Sequence, residues 1–77
     1  MNQEKIGKFI AELRRGKELT QEQLAEKIFM DRATISKWER GLYIANPKIL
    51  LKLCEIFEVS ISEMLAGERA NKKWNNQ

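Results

Sequence analysis

Apolar residues recur with the period of a helix in five separate stretches of this chain. Ile6, Phe9, Ile10 and Leu13 fall at i, i+3, i+4 and i+7, which puts them on one face of a helix over residues 3–17. Arg14, Arg15 and Lys17 crowd its last turn beside Gly16, where cations suit the negative end of the helix dipole. Thr20 and Gln23 have the spacing of a capping box, with Leu19 as its staple. A second helix therefore starts there and runs to Ile28, with Leu24, Ala25 and Ile28 inward. Phe29-Met30 leaves room only for a sharp turn, and Asp31 caps a third helix that stops at Gly41. Asn46 as cap and Pro47 at the first helical position open a fourth over residues 47–57. Ser60 and Glu63 repeat the capping box for a short fifth helix that ends before Gly67.

The expected fold class is all-α, a single domain of five helices over residues 1–67, with the helix-turn-helix about 20–41. Composition agrees: one Pro and four Gly among 77 residues leave helices uninterrupted, and stretches rich in Val, Thr and Tyr are absent. Domains this small without disulfides or metals are usually helical and fold through local contacts. Residues 68–77 are polar and read as a flexible tail in which Trp74 is the one group able to dock. No apolar run approaches the roughly 20 residues of a membrane span, and no signal-peptide pattern opens the chain. A cytoplasmic location is expected, with no membrane partner.

The side chains that carry chemistry exclude more than they suggest. Cys54 is the only cysteine and sits among Leu53, Ile56 and Phe57, as an inert core thiol would. The chain has no histidine, so neither a zinc site of the usual ligands nor His-based acid–base chemistry can be built. No Gly-rich phosphate loop occurs. No catalytic residue, metal or cofactor is expected, and the chain does not read as an enzyme. The net charge of +3 is modest, and Arg69, Lys72 and Lys73 against Glu68 place two of those charges in the tail. The argument for a polyanionic partner therefore depends on where individual charges point.

They point outward from the third helix. At about 100° per residue, Ile35 and Trp38 lie about 60° apart and define a buried side. Ala33, Ser36, Lys37 and Arg40 cluster opposite, flanked by Arg32 and Thr34. Glu39 falls within about 40° of Ile35, at the core edge, where it can pair with a cation from another helix. An ordinary solvated face is the default reading of such residues. Here the helix follows a capped predecessor after a very short turn, with the small Ala25 where the two must approach closely. Pairs of this kind project the second helix at the surface.

Thr20 through Ile28 and Thr34-Ile35-Ser36-Lys37-Trp38-Glu39-Arg40-Gly41 resemble the helix-turn-helix of the phage-repressor/Cro (XRE) family of bacterial regulators. Leu50, Leu53, Phe57, Val59-Ser60 and Glu63-Met64-Leu65 continue the resemblance, which covers about residues 5–67. It implies a lambda-repressor-like domain that binds double-stranded operator DNA, usually as a homodimer on a palindrome. By position, it makes Arg32, Ala33, Ser36 and Lys37 base-contacting. Gln21, Thr34, Arg40, Tyr43, Asn46 and Lys48 would meet the DNA backbone, Gln21 with its helix N-terminus aimed at a phosphate. Arg14 and Glu39 match an internal ion pair of the family. A transcriptional repressor is the expected function.

Three positions depart from the family pattern. Phe29 occupies the turn position usually held by Gly, at a cost of about 1 kcal/mol or more if φ is positive there. Ala33 replaces a Gln and leaves base reading to Arg32 and Lys37, either of which can meet guanine O6 and N7. Leu42-Tyr43-Ile44-Ala45 is apolar for a loop after a recognition helix. The fourth helix also carries more apolar residues than one face needs. Ile49 and Ile56, with Ile61, either pack beneath the loop and tail or form a dimer interface, the use exposed apolar clusters usually have. Such a dimer would set two recognition helices about 34 Å apart, one DNA turn. One alternative keeps the fold but makes it an antitoxin-type or other protein-interaction module. RNA or single-strand binding would need exposed aromatics for stacking, and only Tyr43 and Trp74 offer them. Sensing would fall to a further protein partner or to a C-terminal sensor domain in a longer parent protein.

Overall fold

The computed structural model describes residues 2–70, and Trp74 lies outside them. Five helices follow in order: α1 Gln3–Gly16, α2 Gln21–Lys27, α3 Arg32–Glu39, α4 Pro47–Phe57 and α5 Ile61–Ala66. The fold is all-helical, as expected, and every helix begins at a side-chain cap. Asn2, Thr20, Asp31, Asn46 and Ser60 each accept a backbone N–H from three residues on. At Thr20 and Ser60 the box is reciprocal, since Gln23 and Glu63 accept the cap residue's own N–H. Each cap satisfies donors that the first turn leaves without intrahelical partners.

The core is a single cluster to which every helix contributes. Ile6, Phe9, Ile10 and Leu13 of α1 meet Leu24 and Ala25 of α2, Ile35 and Trp38 of α3, Leu53 and Phe57 of α4, and Met64 of α5. Cys54 is buried in this cluster, where burial pushes its thiol up and the nearby Glu63 charge adds to the shift. The apolar loop after α3 splits in two. Ile44 and Ala45 pack inward, while Leu42 and Tyr43 stay exposed.

Two glycines let α1 lie close to α3. A Cβ on Gly7 would run into the Trp38 carbonyl oxygen, so the backbones touch where only hydrogen fits. Gly41 takes φ 77° with the Glu4 backbone against it, and its carbonyl accepts from the Gln3 amide at 2.9 Å. The left-handed residue after α1 is Glu18 (φ 59°) rather than Gly16, and the one after α4 is Glu58 (φ 58°). Phe29 also adopts φ 59°, so the turn between α2 and α3 keeps the glycine-like conformation despite the aromatic side chain. The ring is 91% exposed and has no packing to offset that cost.

Candidate nucleic-acid interface

Arg14 reaches from α1 to the end of α3 and forks onto Glu39, Nε to Oε2 at 2.7 Å and Nη2 to Oε1 at 3.0 Å. Its remaining Nη1 donates to the Leu19 carbonyl at 2.8 Å. The two side chains are only 11% and 7% exposed, and the hydrogen bond that Arg14 donates to Glu39 raises the arginine pKa above its usual value against the opposing effect of burial. Glu39 is the one carboxylate of α3, and this pairing turns it away from the outward face.

The same carboxylate orients Gln21. Its amide nitrogen donates to Glu39 Oε1 at 3.0 Å, so its oxygen faces the other way and accepts from Arg32 Nη1 at 3.4 Å. One amide hydrogen of Gln21 stays free for a phosphate. A hydrogen-bonded line thus runs from the core edge, through Arg14, Glu39 and Gln21, to the first residue of α3.

Along the outward face, Arg32, Ala33, Lys37 and Arg40 are exposed and Ser36 is half-buried. Arg40 Nε donates to Ser36 Oγ at 3.2 Å, and the Lys37 ammonium lies 5.5 Å from the centre of the Tyr43 ring. The Thr34 hydroxyl donates to Asp31 Oδ1 at 2.6 Å, so a phosphate would have to compete for that hydrogen. Asn46 uses its side-chain oxygen to cap α4 and keeps its amide hydrogens, while Lys48 is exposed in the first turn of α4.

Sequence reasoning missed a cleft of about 510 Å³ between α1 and α3, lined by Lys8, Arg15 and Arg40 with Gln21 and Ser36, and also by the carboxylates of Glu12 and Glu39. Its cations sit beside the outward face of α3. The signal was present, since Lys8 and Arg15 stand two turns apart on α1, but α1 drew attention only for its apolar stripe.

A model of the helix-turn-helix family matches residues 10–64. The chain belongs to the XRE-type helix-turn-helix family. It is 48% identical over 59 residues to the HTH-type transcriptional activator BcrR of Enterococcus faecalis. That match takes in 77% of this chain and 29% of the relative, so the chain spans under a third of BcrR. The fold is similar to the crystal structure of the restriction-modification controller protein C.AhdI from Aeromonas hydrophila. The TM-score is 0.71 at 33% identity, over 79% of this chain and 92% of that one.

Within this helix-turn-helix domain Ile49 and Ile56 are half-buried and pack against the core. On α4 and α5 the exposed large apolar residues are Leu51 and, one turn apart, Ile61 and Leu65; Phe29, Met30, Leu42 and Tyr43 are exposed elsewhere. Among the described residues, no helix is long and apolar enough to cross a membrane.

Proposed function

We propose that this domain, residues 1–67, binds double-stranded DNA in a sequence-specific manner to regulate transcription, with α3 in the major groove. The observation that carries the reading is the charge arrangement of α3. Arg32 and Lys37 of α3 and Arg40 at its C-cap face outward, and the helix's single acid is drawn inward by Arg14, which leaves the N-cap Asp31 as the exposed acid beside them. Arg32 and Lys37 read bases, Ser36 and the Ala33 methyl make lesser contacts, and Gln21, Arg40, Lys8 and Arg15 hold phosphates. The function is binding rather than catalysis, in the cytoplasm. The comparisons do not favour the protein-interaction alternative.

A two-fold dimer through Ile61 and Leu65 would place two α3 helices on a palindrome, and BcrR's greater length suggests a further, C-terminal domain for sensing. The test is selection from randomised duplexes, followed by band shifts at two salt concentrations. A palindromic motif with half-sites one turn apart and a steep salt dependence is expected. Equal binding of all duplexes would overturn the reading. Ile61→Glu should leave a monomer in sedimentation, and a promoter-reporter assay reads the sign, for which the sequence suggests repression while BcrR is named an activator.

A further inference from the structure

Resting on that DNA-binding reading, we propose that Tyr43 is a positioning residue for base recognition, its ring holding the Lys37 ammonium in place for guanine. Lysine is a poor reader when its long stem is free, because ordering several rotatable bonds on binding offsets much of what its hydrogen bonds supply. Here both the backbone and the side chain of Lys37 are tied to the loop that carries Tyr43. The Leu42 N–H donates to the Lys37 carbonyl at 3.0 Å and the Gly41 N–H to the Trp38 carbonyl at 3.0 Å. With Gly41 left-handed, these are the two bonds of a Schellman motif, which fastens the loop to the last turn of α3. Ile44 and Ala45 anchor its far side in the core. Tyr43, 59% exposed, is left beside the groove face with the Lys37 ammonium 5.5 Å from its ring centre.

The choice of partner matters. A carboxylate would neutralise the ammonium and occupy its N–H groups. A ring face attracts the charge and leaves all three donors for guanine O6 and N7. It also explains an exposed aromatic in a loop whose other apolar residues are mostly anchors.

The test uses Tyr43→Phe and Tyr43→Leu, with Lys37→Ala to identify the base pair that Lys37 reads. Randomised-duplex selection and competition titrations report base preference. Tyr43→Leu should lower discrimination at the Lys37 position by about two- to fivefold, leave the Arg32 position unchanged, and be rescued by Tyr43→Phe. If Tyr43→Phe and Tyr43→Leu weaken every duplex alike, the hydroxyl holds a phosphate and the proposal is overturned; an unchanged Tyr43→Leu profile overturns it too. In the DNA-free protein, NMR should show ring-current shifts of the Lys37 side-chain protons that persist in Tyr43→Phe and vanish in Tyr43→Leu. Their absence from the wild type also overturns it. A wild type with those shifts but no base preference would refute DNA reading, and the recognition role with it, while leaving the contact itself intact.

Discussion

The inward and outward faces of α3 are held in different ways. Inward, Ile35 and Trp38 are buried, Glu39 takes three side-chain donors, and α1 lies in backbone contact at Gly7. Outward, the long cations are met by uncharged side chains: Gln21 for Arg32, Tyr43 for Lys37, Ser36 for Arg40, with the Asp31 carboxylate also in the field of Lys37. The inward face fixes where the helix sits, and the outward face only biases where its side chains point. A surface built this way can change its outward side chains without moving the scaffold.

The largest expected effect tests the inward face. Glu39→Ala leaves Arg14 without its partner at a nearly buried site and should cost about 3 kcal/mol in urea unfolding. The double replacement Arg14→Met/Glu39→Leu should recover part of that loss. A cost near zero for Glu39→Ala would remove the distinction between the faces. Gly7→Ala forces α1 away from the Trp38 carbonyl and should cost about 2 kcal/mol, read as a lower Tm.

Arg32→Ala should act on the other side of the comparison. Stability should stay within about 0.5 kcal/mol, while discrimination at one base position falls by about 1–3 kcal/mol in competition titrations. If the mutant unfolds instead, the outward face is not independent.

The smallest effect lies at the cap where the two faces begin. Hydrogen bonds from the Thr34 hydroxyl and then its N–H hold the Asp31 carboxyl below its ordinary value of 3.8. A depressed folded pKa means stabilisation that is present above the unfolded value and lost as pH falls through the folded one. Asp31→Asn caps equally well without titrating. Wild type and mutant should therefore keep a constant difference in stability at neutral pH, and the wild type should lose its extra share only below about pH 4, as followed by circular dichroism.

Four helix starts were legible because each is written locally, as Thr20 with Gln23, Asp31, Asn46 with Pro47, and Ser60 with Glu63, while that of α1 followed only from its apolar stripe. The core was legible from spacing, and the inward turn of Glu39 from its angle to Ile35. Features that depend on two distant segments were not. Gly7 looks like any helical glycine until the Trp38 carbonyl lies against it. Glu18 and Glu58 show no sign of a left-handed backbone, since Glu is not a residue type that favours it; the Glu58 side chain faces solvent and meets Lys17 at 3.8 Å. The nearness of Tyr43 to Lys37 required the course of the loop, and the cleft beside Arg15 required the packing of α1 on α3.

Glu63 completes more than the capping box of α5. One oxygen accepts the Ser60 N–H and the other accepts the Ala70 N–H at 2.9 Å, and these bonds lower its pKa, Ser60 first. Glu68 is further drawn to Lys5 at 3.5 Å. The first turn of α5 therefore clasps Ala70, and Glu68 ties the same stretch to α1. A pull on Ala70 is thus shared between the start of α5 and the start of α1 rather than borne by α5 alone.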